Sequence, residues 1–210
     1  IGYRESTVQV PPRGVWGRSG AATLALGEAW LGGTIAPNAA PDELVRRYLG
    51  AFGPATINDA QSWSGMTHLR DVFEQLRPTL VEFRDTADRT LFDLPEAPRP
   101  AEDSPAPPRY LPEYDNLLLG HVDRTRVIDK QHKTTLYPGN GARLGAVLLG
   151  GRYAGGWKIV EPTSEARLEV QLLAKPSQSD RDGLVEEGLG LLAFAAPASA
   201  GRDISITVAA

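Results

Sequence analysis

Three histidines, no cysteine and scattered carboxylates make up the chemical inventory of this chain. His121-Val122-Asp123 has the H-x-D spacing that offers two ligands to a non-haem iron, with His132 as a distant third. The competing reading is a hydrogen-bonded or surface histidine, because converging such ligands requires adjacent strands. Glu113 with Asp115, and Glu186 with Glu187, are carboxylate pairs that could serve acid–base work; solvated or structural acids give the same pattern. The run "GNGARLG" (139–145) has an extra residue before its last glycine and precedes a predicted strand, so it reads as a loop rather than a dinucleotide cradle. No G-x-S-x-G elbow occurs, and "GRSG" (17–20) lacks its spacing. The absence of cysteine excludes thiolate nucleophiles, disulfides and Cys-based zinc sites, and it fits a reducing cytoplasm.

Cationic residues point elsewhere. The stretch "RYLPEYDNLLLGHVDRTRVIDKQHK" (109–133) carries Arg109, Arg124, Arg126, Lys130 and Lys133, interleaved with Tyr110 and Tyr114. Arg124 and Arg126 on a strand would share a face and grip consecutive phosphates. The alternative is a pair of surface ion bridges to Asp123 and Asp129. Arg13 and Arg18 flank "GVWG" in a proline- and glycine-shaped loop that suits backbone approach to a phosphate, or equally a loop anchored by a buried Trp16. Net charge is −4, which argues against a uniformly basic binder but leaves room for a local basic face.

The elements that must position these residues are clearest in the middle of the chain. Pro41 suits a first helical position, and Leu44, Val45, Tyr48, Leu49 and Phe52 follow at helical spacing. Thr56 and Asp59 make a capping box for a second helix, and Ser64-Gly65 supplies a sharp turn. Thr67 is expected to cap a third helix with Leu69, Val72, Phe73 and Leu76 inward and His68, Arg70, Asp71, Glu74 and Gln75 outward. Strand-like runs at 80–84 and 90–94 then predict a hairpin with a polar, glycine-free tip. Three helices and a hairpin in that order predict a winged helix-turn-helix. Arg70 and Gln75 could read bases, whereas Asp71 and Glu74 face phosphate repulsion unless paired, so the unit serves either as groove reader or as scaffold.

The predicted class is α+β: a winged helix-turn-helix followed by a small antiparallel sheet with a packed helix. Residues 1–40 are expected to form an arm and part of a preceding winged-helix unit, with 23–31 a short helix burying Leu24, Trp30 and Leu31. Residues 41–95 form the winged helix, 96–108 a proline-rich linker, and 109–210 the second α+β domain. Strands are predicted at 144–149, 152–160, 167–174 and 204–208, and a helix at 180–195. No apolar run approaches the ~20 residues that span a bilayer, so no membrane partner is expected.

Three phrases in order, "VQVPPRGVWGRSG", "ELVRRYLGAFGPATINDAQSWSGM" and "RYLPEYDNLLLGHVDRTRVI", resemble the winged-helix DNA-binding proteins that include the AlkZ/YcaQ type of DNA glycosylase. The resemblance implies tandem winged helices on double-stranded DNA and, for the characterised branch, cleavage of the N-glycosidic bond of alkylated or cross-linked purines. It implies no metal or organic cofactor, since an alkylated purine is already a good leaving group and water positioning can suffice. The family's Gln-apolar-Gln/Asp signature has no counterpart here: Gln9 sits between valines, so no catalytic residue is transferred. The chain is expected to correspond to the C-terminal part of such a protein. A winged-helix transcriptional regulator and a non-catalytic interaction scaffold are the rival readings. The expected DNA contacts are Arg13, Arg18, Thr67, His68, Arg70, Arg109, Tyr114, Arg124, Arg126, Lys130 and Lys133.

Overall fold

The computed structural model describes residues 6–15, 18, 20–35, 40–132, 144–161 and 165–209, in two compact units, Ile1–Leu44 and Val45–Ala210. In the first unit, β1 (Thr7–Val10) pairs antiparallel with β2 (Thr23–Leu26). A short α1 (Gly27–Leu31) follows and closes at Gly32, whose φ of 67° lies in the left-handed region. The helix expected over 23–31 is therefore half strand, because its first four residues find a ladder partner in β1. Leu24, Trp30 and Leu31 are not core residues: their exposures are 59%, 52% and 69%.

Helical periodicity gives α2 (Pro41–Phe52), which contributes Val45, Tyr48 and Leu49 to the core of the second unit. The capping box starts α3 (Ile57–Ser64): the Asp59 backbone N–H donates to Thr56 Oγ1 at 3.1 Å, and Thr56 N donates to Asp59 Oδ2 at 2.9 Å. Gly65 closes that helix in the left-handed region at φ 70°. The start of α4 (Leu69–Leu76) corrects an expectation. Thr67 does not cap it; His68 occupies the cap position at φ 62° with no side-chain bond, and Gln61 Oε1 accepts from Leu69 N at 3.1 Å instead. A side chain of the preceding helix thus satisfies one of the amides that an N-cap would serve.

A 3₁₀ turn over Arg77–Thr79 leads into β3 (Val81–Arg84), which pairs antiparallel with β4 (Thr90–Asp93). Asp85 closes the glycine-free tip. Its Oδ1 accepts from Ala87 N and Arg89 N, both at 2.9 Å, and its Oδ2 accepts from Arg89 Nε at 2.6 Å. These bonds hold its carboxyl below the usual carboxylate range, the Arg89 amide contributing most. Ala55 and Phe92 exchange backbone hydrogen bonds of 3.0 and 2.8 Å, so the segment between α2 and α3 joins the hairpin. Phe73 and Phe92, with ring centroids 5.1 Å apart, centre a core of Val45, Tyr48, Leu49, Ala60, Leu69 and Leu76.

Gly53 is required by close approach: a Cβ there would lie 2.2 Å from Asp93 Oδ1 and 2.6 Å from Leu49 O. Asp93 is buried, and Arg99 reaches it from the proline-rich segment at 3.1 Å.

Beyond that segment the chain builds a five-stranded sheet from β5 (Arg109–Leu111), β6 (Gly145–Leu149), β7 (Arg152–Val160), β8 (Glu165–Leu172) and β9 (Gly201–Val208), in that order. Three pairings are antiparallel, in keeping with the expected antiparallel sheet, and the fourth differs: β8 and β9 run parallel. The physical reason is α5 (Gln178–Ala195), capped by Ser177, which forms the crossover that a parallel pair needs. Ala166, Leu168, Val170 and Leu172 alternate toward α5 and meet Leu184 and Leu192. On β6, Val147 belongs to that core while Ala146 points to the opposite face, where Leu118, Ile128 and Tyr153 cover it. The last glycine of the 139–145 run begins β6 because the Trp157 indole crosses it to donate to Leu111 O at 2.8 Å; a Cβ would lie 2.2 Å from that nitrogen.

Candidate nucleic-acid interface

The segment 112–132 contains three of the expected cationic contacts, Arg124, Arg126 and Lys130, and it folds as a loop. Asp115 opens it by accepting from Leu117 N at 2.8 Å, which starts the 3₁₀ turn Asn116–Leu118. Asp123 then forms a side-chain turn, accepting from Thr125 N at 3.1 Å and Thr125 Oγ1 at 2.7 Å. Arg124 O accepts from Val127 N at 2.9 Å and Ile128 N at 2.8 Å, closing a backbone turn. Arg124 and Arg126 therefore lie in a turn, not on a strand, and the expected alternation onto one face does not apply.

This loop joins the helices and hairpin to the sheet. The buried Tyr48 hydroxyl donates to Gly120 O at 2.6 Å, and burial pushes its phenol pKa well up. Asp59, 6% exposed, accepts from Val122 N at 2.8 Å while still serving as half of the capping box. On the sheet side, Tyr153 N donates to Val127 O at 2.7 Å and Arg152 bridges Asp129 at 2.7 Å.

The carboxylates of the loop do not pair with their sequence neighbours. Asp123 meets Arg89 of the hairpin at 3.2 Å, and Asp129 meets Arg152. Arg124 only donates to His121 O, at 3.3 Å. The Arg126 guanidinium and the Lys130 ammonium make no hydrogen bond or ion pair among the described residues. The expected bridges from these arginines to Asp123 and Asp129 are thus absent among the described residues, and three cations on one loop have no ion-pair partner there.

His121 lies between two clefts that share it with Asp123 and Arg126. Its Nε2 is buried without a partner among the described residues. Burial, and secondarily Arg126, lower its pKa; Asp59 and the carbonyls of Phe52 and Pro54 act in the opposite direction. Asp123 is already engaged by Thr125 and Arg89. No cluster of three or more ligating side chains exists among the described residues, so the iron-type reading of His121, Asp123 and His132 finds no geometry there.

The remaining expected contacts fall elsewhere. Thr67, His68 and Arg70 are exposed around the start of α4. Glu74 on that helix is held by Arg77 at 2.7 Å and stays ionised, because that bond lowers its pKa. Arg70 is thus offset by Asp71, while Glu74 is taken by Arg77. Arg109 on β5 pairs with Glu187 of α5 at 3.4 Å, and Tyr114 sits in a turn at φ 59°. In the first unit, Arg13 donates to Gly20 O and Arg18 is exposed. Trp16 and Lys133 lie outside the described residues. Arg84 and Arg89, which face the loop cleft from the hairpin, were missed by sequence reasoning; their position as hairpin arginines was the available signal.

Comparison with known proteins gives these placements a family. The interstrand DNA cross-link repair glycosylase of Streptomyces sahachiroi is 31% identical over 133 residues, covering 60% of this chain and 36% of that protein. The solved structure of Streptomyces sahachiroi DNA glycosylase AlkZ has the same fold, with a TM-score of 0.73 and 25% identity over 97% of this chain and 55% of that one. The chain thus spans about a third of the curated relative's length and about half of the solved one. A family model described as DNA glycosylase AlkZ-like matches residues 2–194, and the chain belongs to that family.

Proposed function

We propose that this chain is the duplex-binding part of a DNA glycosylase acting on alkylated or cross-linked bases, and that residues 41–95 are a winged helix-turn-helix serving mainly as its brace. Two features support the brace reading. The order helix, bridging segment, two helices and hairpin is that of a winged helix, with Ala55 paired to Phe92 as the short first strand. The outward surface of α4 mixes Arg70 with Asp71, and its Glu74 is paired with Arg77, so the helix offers little net positive charge to phosphate. In this reading 1–40 is an N-terminal arm and part of a preceding winged-helix unit, 96–108 a linker, and 109–210 the sheet domain.

The observation that supports the proposal most is the loop in which Asp123 and Asp129 are engaged by distant arginines while Arg124, Arg126 and Lys130 have no ion-pair partner among the described residues and stay available for a nucleic-acid backbone. Glycosylase activity belongs to the proposal through the family, and no catalytic residue is assigned. Fluorescence anisotropy with a random-sequence duplex tests it. Three phosphate contacts should weaken binding about 40-fold between 50 and 200 mM salt, with little sequence preference. Salt-independent binding, or none at 50 mM, would reject the reading; a large preference for one site would favour a regulator.

A further inference from the structure

A cleft lies beside the end of α2. It encloses about 310 Å³, within the usual size range of small-ligand sites. Its walls are mostly apolar, formed by Ala51, Phe52, Leu117 and Val127, and Arg124 and Arg126 also line it. The one carboxylate in its lining, Asp123, is already taken by Arg89 and Thr125. Burial lowers the pKa of His121 in the wall. A mostly apolar cleft that also carries two cations without carboxylate partners among the described residues suits a ligand that is flat and weakly polar at one end and anionic at the other. A nucleotide has that construction.

We infer that this cleft receives one unpaired nucleotide of a DNA strand, with the base between the end of α2 and the 117–127 loop and its phosphate on Arg124 and Arg126. The inference rests on the DNA reading above and adds to it a site for an unstacked base. Unpairing favours entry because a base already out of the stack does not have to be extracted.

The test compares a fully paired duplex with the same duplex carrying one bulged nucleotide, using the whole chain. The bulged duplex should bind about tenfold tighter, which is what removing roughly 60 Å² of base surface from water yields. Ala51→Trp and, separately, Leu117→Trp fill the cleft from exposed positions. Each variant, confirmed folded by circular dichroism, should lose the bulge preference and keep paired-duplex affinity within twofold. No bulge preference in the wild type, or a preference that survives both fillings, overturns the inference while paired-duplex binding keeps the DNA reading standing. Loss of binding to both duplexes in the wild type rejects the DNA reading itself. Displacement of the bulged duplex by micromolar deoxyadenosine monophosphate would reassign the cleft to free nucleotides and overturn the strand assignment.

Discussion

Removing the Asp59 side chain should loosen the connection between the helical core and the sheet. Asp59→Ala deletes two things at once: half of the capping box of α3, and the acceptor for Val122 N. Losing a helix cap costs about 1 kcal/mol. Losing a hydrogen bond to a charged acceptor costs about 1.5–3 kcal/mol; the lower figure applies here because Val122 is half exposed and water can replace the partner. The sum is about 2.5 kcal/mol, or a fall of roughly 7 °C in Tm for a domain of this size. Asp59→Asn keeps the shape and one acceptor oxygen and should lose about half as much. Differential scanning calorimetry and urea titration measure both. A loss under about 0.5 kcal/mol for the alanine variant would mean that the bond to Val122 is not made in solution, and the loop would then not be the connection described above.

Three further outcomes follow from the same structure. Arg124→Ala with Arg126→Ala should flatten the slope of log affinity against log salt by about 2, whereas Arg167→Ala, whose guanidinium is bound to Asp203, should leave it unchanged. Burial lowers the His121 pKa, so the unfolded chain takes up the proton first on acidification. The stability that this residue confers is complete above about pH 6.5 and is lost as pH falls toward its folded-state value. Urea midpoints at pH 7.5 and 5.5 should therefore differ more for the wild type than for His121→Asn, and equal differences would remove His121 as the cause. Gly53→Ala forces a methyl group against Asp93 and the Leu49 carbonyl and should cost about 2 kcal/mol, whereas Gly65→Asn, at a left-handed cap, should be nearly neutral.

How much of this could be read in advance depended on the range of the interactions. Helices α2 and α3 and the hairpin runs are specified within a few residues, by apolar spacing and by the Thr56/Asp59 box, and they stand where expected. The start of α4 was misread because its amide is satisfied by Gln61, eight residues back, rather than by the threonine that local rules favour. Residues 23–26 became strand through partners thirteen to nineteen residues away, and the parallel β8–β9 pair depended on where α5 would deliver the chain. The candidate site shows the same division. Arg124 and Arg126 could be named from their types, but their freedom could not. It depends on Arg89 and Arg152, each more than twenty residues from the acid it engages.

The proline-rich stretch at 96–108 is the covalent path between hairpin and sheet, yet it is not what holds them. Tyr48, Asp59 and Arg89 all lie before it, and Gly120, Val122 and Asp123, which they grip, all lie after it. A protease nick in that exposed stretch should accordingly leave two fragments that co-elute under native conditions and part only in denaturant.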